Sequence, residues 1–269
     1  MQTDYPQLRI RSDTNALWLN MHPAPVPCFT PELLESLNTV LRTLRRRILS
    51  DGSDFRYLIG ASTVQGVFNL GGQLALFHRA VTRQDRAALE HYADACIQVI
   101  HGMASALNCP RLTTLSLVEG DALGGGFEAA LSAQVLVAER GCRMGFPENV
   151  FNLFPGMGAY PLLSRRTGAD LAQEIISGGG LYPAETLYEM GAVDILAEKG
   201  GGKTAVRRYI EARNKGTHPP PQRIAPTLQT LRQCTGRWVE AALALPPADL
   251  DTIARLIRQQ QRKWPAPPA

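Results

Sequence analysis

The chain has 269 residues, of which 45% are hydrophobic and 19% charged, a composition typical of a soluble globular protein with a sizeable core. Its 28 basic and 24 acidic residues give a net charge of +4, too small to indicate a nucleic-acid partner. The five cysteines contain no CxxC pair and the five histidines never stand at metal-ligand spacing, so we expect neither disulfides nor a bound metal. No signal-peptide pattern and no apolar run of membrane-spanning length is present, which together with reduced thiols predicts a cytoplasmic protein.

Predicted strands and helices alternate along the chain up to residue 196. Residues 8–10 and 16–20 have the alternating pattern of a β-hairpin. Thr30 as N-cap, followed by Pro31 and a face of leucines, predicts a helix over 31–49. Further buried strands are predicted at 55–62, 112–120, 134–139 and 193–196, and further helices at 83–107, 171–179 and 183–191. This order predicts an α/β fold with a mostly parallel sheet, and the chain after residue 203 is predicted to be mainly helical.

Two glycine-rich segments resemble nucleotide-binding motifs but lack the context of those motifs. AEKGGGKT (197–204) has Ala197 where a phosphate-binding loop has glycine, and no later strand carries an Asp for magnesium. GMGAYP (156–161) has Pro161 in place of the third glycine of a dinucleotide fingerprint. We therefore predict a surface turn at 197–204 and no nucleotide site at either segment.

A basic run, RTLRRR (42–47), stands near the end of the first predicted helix. Such a run suits the negative end of the helix dipole and is most often a solvated face. It is also a candidate docking patch for an acidic partner, formed by Arg42, Arg45, Arg46 and Arg47. Both interpretations stay open at this point.

Two glutamates stand in apolar surroundings after turns. Glu128 follows the glycine run of EGDALGGGFEAALS, and Glu148 lies in MGFPENVFNLFPG. Such a pair suits a general acid and a general base, because burial raises the proton affinity of a carboxylate and mutual repulsion separates the two titrations. The alternative is that Glu148, which follows Pro147, caps the start of a helix.

Two glycine turns precede predicted helices. Gly71 and Gly72 follow an apolar segment, and the run 124–126 follows another. Each turn can present a free backbone N–H at a helix start, and together two such groups can hold a carbonyl oxygen on which negative charge develops. Glycine suits this place because a β-carbon obstructs a close approach to the backbone. A plain strand-to-helix turn is the alternative.

The phrases NLGGQL, EGDALGGGFEAALS and MGFPE, at these intervals, resemble the crotonase superfamily of enoyl-CoA hydratases and isomerases. GVFNLGGQLALF, GDALGGGFEAALS and FNLFPGMGAY are similar to the bacterial diffusible signal factor synthases, and this similarity covers nearly the whole chain. The resemblance implies a spiral core of repeated ββα units over 1–200. It also implies a C-terminal helical region over 201–269 that covers an acyl pocket and supports trimers.

The resemblance also implies roles for individual residues. Carried over by position, these are the amides of Gly72 and Gly125 as an oxyanion hole, Glu128 and Glu148 as catalytic carboxylates, Gly124 as a substrate contact, and Met157 and Trp238 as lining of the acyl pocket. The chain departs from many crotonases at Gln73, where they have Asp, which puts one charged contact of the family site in doubt.

The function implied by the resemblance is the synthesis of a cis-2-unsaturated fatty-acid signal for quorum sensing. It proceeds by dehydration of a 3-hydroxyacyl thioester, carried by acyl carrier protein or coenzyme A, and hydrolysis to the free acid, with no cofactor beyond that carrier. An ordinary enoyl-CoA hydratase or isomerase of fatty-acid degradation is one alternative. A regulatory partner that docks on a sensor histidine kinase through the basic run 42–47 is another.

Overall fold

The computed structural model describes residues 4–50 and 52–265, and their strands form two sheets. In chain order the strands of these residues are β1 Asp4–Tyr5, β2 Leu8–Asp13, β3 Ala16–Met21, β4 Tyr57–Ser62, β5 Val67–Asn69, β6 Thr113–Val118, β7 Asp121–Leu123, β8 Val135–Glu139, β9 Arg143–Gly145, β10 Leu181–Pro183 and β11 Ile195–Ala197. The larger sheet has seven strands in the order β1-β2-β3-β4-β6-β8-β11, and every pair from β3 to β11 is parallel. The smaller sheet has four strands in the order β10-β9-β7-β5.

Helices cover both faces of the larger sheet. In chain order they are α1 Pro31–Ser50, α2 Leu74–Thr82, α3 Arg86–Ala104, α4 Gly125–Ser132, α5 Ala159–Thr167, α6 Ala169–Gly178, α7 Ala184–Glu189, α8 Gly202–Asn214, α9 Leu228–Leu243 and α10 Pro247–Lys263, with short 3-10 helices at Ala106–Asn108 and Pro147–Phe151. Leu115 and Leu117 of β6 pack on one face together with Val206 of α8, while Val118 joins the main core on the other face. Strands β6 and β8 are therefore buried along their whole length, as is typical of parallel strands between helical layers.

The structure confirms the predicted α/β fold, the hairpin and the long first helix. Thr30 is the N-cap of α1, since its Oγ1 accepts a hydrogen bond from the Leu33 N–H at 3.1 Å. The helix predicted over 83–107 is shorter than expected, because the Asp85 side chain caps α3 by accepting from the Ala88 N–H at 3.0 Å. Helix α5 and the three-residue strands of the smaller sheet were not predicted.

The C-terminal helices pack back onto the rest of the chain. Helix α9 lies along α3, and α10 contacts both α2 and the 3-10 helix at Pro147–Phe151. A C-terminal helical region is therefore present, whereas its separation from a core at residue 200 and its role in trimers stay predictions. None of the helices in residues 4–50 and 52–265 is long and apolar enough to span a membrane.

The glycine-rich segment 197–204 is a turn at the surface, and its amides already bind an anion from the same chain. The buried carboxylate of Glu139 accepts hydrogen bonds from the Gly200 N–H at 2.9 Å and from the Gly202 N–H at 2.8 Å. These amides stand at the start of α8, where the helix dipole favours a negative charge. A carboxylate thus occupies the place that a phosphate takes in a nucleotide-binding loop.

The basic run lies on the exposed side of α1. Arg42 and Arg46 are exposed, and the Arg45 Nε donates to the Leu107 carbonyl oxygen at 3.1 Å. One of the four arginines therefore holds α1 to the turn that follows α3. Docking of a sensor kinase on this surface stays a prediction.

Candidate active site

The two glycine turns identified in the sequence lie in direct contact. A β-carbon on Gly71, whose φ is +90°, would stand 2.9 Å from the Leu123 carbonyl oxygen and 3.1 Å from the Gly125 nitrogen. A β-carbon on Gly125 would lie 3.6 Å from the Gly72 nitrogen. Within residues 4–50 and 52–265, neither the Gly72 N–H nor the Gly125 N–H donates a hydrogen bond. Two adjacent, unbonded N–H groups are thus available for an acceptor.

Asn69 joins the two turns. Its Oδ1 accepts a hydrogen bond from the Gly71 N–H at 2.8 Å, and its own carbonyl oxygen would lie only 2.1 Å from a β-carbon on Gly126. Asn69 is completely buried, so surrounding atoms hold it in its place between the two glycine turns. Sequence reasoning missed this residue, although an Asn two positions before a glycine is typical of a side chain that closes a turn on its own backbone.

A second buried side chain fixes the start of α2. The Tyr92 hydroxyl donates to the Phe29 carbonyl oxygen at 2.6 Å and accepts from the Gln73 N–H at 3.1 Å. Gln73, the residue at which the chain departs from many crotonases, contributes its backbone to this contact, and its side chain makes no hydrogen bond within the described residues. Nothing in the sequence around Tyr92 distinguished it from an ordinary helical core residue.

Glu128 lies in the first turn of α4 and is 1% exposed. Its Oε1 accepts hydrogen bonds from the Met157 N–H at 2.7 Å and from the Ala159 N–H at 2.9 Å. Burial, and next the negative charge of Glu148, raise the pKa of Glu128 to about 8, while the two N–H groups act in the opposite direction. The segment GMGAYP, which resembled a dinucleotide motif, therefore supplies backbone donors to a carboxyl group.

Glu148 lies at the start of the 3-10 helix Pro147–Phe151. It does not cap this helix, because Phe146 is at the N-cap and no side chain accepts there. Its Oε2 is buried without a hydrogen-bond partner within the described residues, and burial raises the pKa of Glu148 to about 7. Its Oε1 lies where a β-carbon on Gly124 would come within 2.5 Å, and the φ of Gly124 is +53°. Glycine at position 124 thus makes room for the Glu148 carboxyl group.

One cavity of about 490 Å³ brings all the predicted site residues together. It is lined by Gly72, Gly124, Gly125, Glu128, Glu148, Met157 and Trp238. Its apolar wall includes Leu34, Phe77 and Val99, with the Phe77 and Trp238 rings 5.3 Å apart. The cavity thus has an apolar wall of the kind that lines small-molecule sites, and it exposes two carboxyl groups and two unbonded amides.

The mouth of the cavity contains residues that sequence reasoning missed. Arg143 and Asp121 form an ion pair at 2.6 Å, and from α10 and its end come Leu256, Lys263 and Trp264. The resemblance implied that the region 201–269 covers an acyl pocket, but Trp238 was the one residue of that region named, because the apolar pattern of α10 is that of any amphipathic helix.

The family model for enoyl-CoA hydratase/isomerase matches residues 19–215 of this chain. The chain belongs to the enoyl-CoA hydratase/isomerase family. The mouse protein Enoyl-CoA hydratase domain-containing protein 2, mitochondrial, is 30% identical over 183 residues, which are 68% of this chain and 56% of the mouse protein. The chain therefore matches little more than half the length of that relative.

Solved structures share the fold of this hydratase/isomerase family member. Human mitochondrial delta3-delta2-enoyl-CoA isomerase superposes with a TM-score of 0.72 at 15% identity, covering 96% of this chain and 99% of the human chain. DspI of Pseudomonas aeruginosa superposes with a TM-score of 0.63 at 19% identity, covering 96% and 98%. At these identities the likeness concerns the fold alone, and it confirms the predicted crotonase fold.

In this family member the two carboxyl groups share a buried, apolar site in which two negative charges repel each other. The pKa values of both groups are raised, to about 8 for Glu128 and about 7 for Glu148. Near neutral pH one carboxyl group therefore keeps a proton while the other is ionised. A site in this state can donate one proton and accept another in a single reaction. Among the described residues no cluster of three or more His, Cys, Asp or Glu side chains is placed to hold a metal ion.

Proposed function

We propose that this chain dehydrates a 3-hydroxyacyl thioester and then hydrolyses the product to a free cis-2-unsaturated fatty acid, a signal of the diffusible signal factor type. The observation that carries the proposal is the meeting of two protonatable buried carboxyl groups with two unbonded backbone N–H groups in one apolar cavity. The apolar wall suits the acyl chain. The carrier, acyl carrier protein or coenzyme A, is part of the substrate, and no other cofactor enters the steps below.

The first step is the removal of water from the substrate. The thioester oxygen accepts hydrogen bonds from the Gly72 and Gly125 N–H groups, which stabilises the negative charge that develops when the α-proton leaves. One carboxylate takes the α-proton, and the other carboxyl group gives its proton to the β-hydroxyl. The β-carbon–oxygen bond breaks, the α,β double bond forms, and a water molecule leaves.

The hydrogen bonds of the two glutamates suggest which residue serves which role. Both N–H donors to Glu128 reach the same oxygen, Oε1, so that its Oε2 is left to carry a proton. The Glu148 Oε2 has no partner among the described residues and is therefore a poorly stabilised, basic oxygen. We assign Glu148 as the base for the α-proton and Glu128 as the acid for the hydroxyl.

The second step is hydrolysis at the same carbonyl group. After dehydration Glu128 has lost its proton and Glu148 has gained one, so the charge states of the pair are exchanged. Glu128 is then able to take a proton from a water molecule that attacks the thioester carbon. Glu148 is able to protonate the departing thiolate, and the tetrahedral oxyanion occupies the two N–H groups used before. The similarity of GVFNLGGQLALF and FNLFPGMGAY to the diffusible signal factor synthases supports this second step.

The rate of dehydration is expected to depend on pH with a maximum between about 7 and about 8. Ionisation of Glu148 is needed and is lost as the pH falls below about 7, and the proton of Glu128 is needed and is lost as the pH rises above about 8. Each limb should approach a tenfold change per pH unit, measured as kcat/KM with a short-chain 3-hydroxyacyl thioester. A profile that is flat between pH 5 and 9 contradicts the assignment.

An ordinary enoyl-CoA hydratase or isomerase uses such a site without hydrolysis, and the names of the mouse relative and the human isomerase favour that alternative. The two functions are separated by supplying one 3-hydroxyacyl group on acyl carrier protein and on coenzyme A. We expect mass spectrometry to detect the 2-enoyl thioester first and the free 2-enoic acid afterwards. A reaction without protein corrects for spontaneous hydrolysis. Accumulation of the enoyl thioester with no acid above that background supports the ordinary hydratase instead.

A further inference from the structure

A second cavity, of about 500 Å³, lies at the opposite end of the larger sheet. Tyr57 and Thr113, which begin β4 and β6, line it together with Gln134, which precedes β8. The active-site cavity is instead lined by Gly66, Val67, Asp121 and Leu123, which follow the carboxyl ends of β4 and β6. The two cavities are therefore separated by the length of the parallel strands.

Arginine side chains give the second cavity its charge. Arg56, Arg111 and Arg213 line it, and no Asp or Glu is found among the described residues of its wall. Arg56 is paired outside the wall with Asp54, at 3.2 Å, and that carboxylate is largely exposed. The neighbouring Asp194 is already engaged by two other arginines, Arg166 at 2.7 Å and Arg223 at 2.5 Å. The positive charge of the cavity is thus only partly balanced.

Two of the three arginines have N–H groups that donate to no acceptor among the described residues. Arg111 is exposed and makes no hydrogen bond or ion pair with any residue of 4–50 or 52–265. Arg213 donates from Nη1 to the His218 carbonyl oxygen at 2.7 Å, but its Nε is buried and has no partner among the described residues. An unsatisfied buried donor is costly, and an anion that reaches this N–H group would remove that cost.

The remaining wall is polar and stiff. The Tyr57 hydroxyl donates to Asn214 Oδ1 at 2.9 Å, which leaves the Asn214 amide hydrogens available. Three prolines, Pro110, Pro220 and Pro221, complete the wall, and their fixed φ angles restrict its movement.

We propose that this cavity binds a small molecule carrying a diphosphate group, such as a nucleoside diphosphate. Guanidinium groups match phosphate oxygens with paired hydrogen bonds, and three of them suit an anion with more than one charge. The volume of the cavity is within the range of small-molecule sites. This assignment concerns a place remote from Glu128 and Glu148 and holds independently of the dehydration chemistry.

The test is calorimetric titration of the full-length protein with pyrophosphate, and then with ADP, at low ionic strength. The informative variant is Arg111→Glu, because this exposed side chain has no contact whose loss affects folding. The matched control is Arg208→Glu on the exposed side of α8, which changes the net charge by the same amount away from the cavity. Lys263→Glu probes the mouth of the first cavity, where a diphosphate is also able to approach a positive charge.

We expect Arg111→Glu to weaken pyrophosphate binding at least tenfold, and Arg208→Glu and Lys263→Glu to change it less than twofold. Absence of binding to the unaltered protein at millimolar pyrophosphate overturns the proposal. Equal weakening by Arg111→Glu and Arg208→Glu also overturns it, because it indicates general attraction to a basic protein. Loss of binding in Lys263→Glu alone places the diphosphate at the first cavity and overturns it as well.

Discussion

Replacement of Glu148 by glutamine is expected to lower kcat/KM for dehydration by about 10²–10⁴-fold while the protein stays folded. Glutamine has nearly the shape of glutamate, and the buried Oε2 has no hydrogen bond to lose within the described residues. Glu128→Gln is expected to lower kcat/KM to a similar extent, because an amide does not act as the acid for the hydroxyl. This variant should also stay folded, since the amide oxygen is still able to accept from the Met157 and Ala159 N–H groups. Steady-state kinetics with a 3-hydroxyacyl thioester measures both effects.

Thermal unfolding provides the control for these variants. Because burial raises the pKa of Glu148 to about 7, the folded state holds its proton more tightly than the unfolded state does. Stability therefore falls as the pH rises from the unfolded-state pKa towards about 7, and glutamine removes this penalty. We expect the Tm of Glu148→Gln relative to the unaltered protein to be higher at pH 8 than at pH 5. Glu174→Gln, at an exposed position of α6, should alter neither turnover nor Tm. Near-normal turnover by folded Glu128 and Glu148 variants refutes the mechanism.

Replacement of Gly125 by alanine is expected to lower kcat by about 10²–10³-fold in a folded protein, the usual cost of losing one oxyanion donor. The added methyl group would lie 3.5 Å from the Gly71 Cα and 3.6 Å from the Gly72 nitrogen, which are ordinary contact distances. The fold therefore accepts the methyl group, but the group stands beside the Gly72 N–H, at the place that we propose for the thioester oxygen.

Alanine substitutions at two other glycines show whether this effect is specific to Gly125. Gly126→Ala would place its β-carbon 2.1 Å from the Asn69 carbonyl oxygen, so we expect a marked fall in Tm. Gly236→Ala, where no atom lies within 4 Å, should change neither Tm nor turnover by much. Normal turnover by Gly125→Ala would show that the glycine run is no more than a turn.

The parts of the fold that could be predicted are those with long, regular patterns. Helix α1 has a capping threonine, a proline in its first turn and a repeating leucine face, and its ends were found almost to the residue. The strands of the smaller sheet have three residues each, too few for an alternating pattern to be recognised. Helix α5 begins after Gly158 with no side-chain cap, so its start carried none of the usual sequence features.

The candidate site divides in the same way. Glu128, Glu148 and the glycines were visible because their residue types and intervals form motifs, and the structure brings them to one cavity. Tyr92 was not, because its hydrogen-bond partners, Phe29 and Gln73, are distant in the sequence, whereas Asn69 was overlooked although its partner Gly71 is only two residues away. The same holds for Glu139, because the N–H groups of Gly200 and Gly202 that donate to its carboxylate follow about sixty residues later in the sequence.

The tight contact between the two glycine turns leaves them no freedom to shift separately. Gly71 lies against Leu123 and Gly125, and Gly126 lies against Asn69. The N–H groups of Gly72 and Gly125 are therefore held side by side before any substrate binds. Water molecules around an emerging charge must reorient during the reaction, and this reorganisation raises the barrier. Here the reorientation is already complete when the polypeptide has folded. The backbone contacts thus provide donors that are preorganised for a developing negative charge, as water molecules are not.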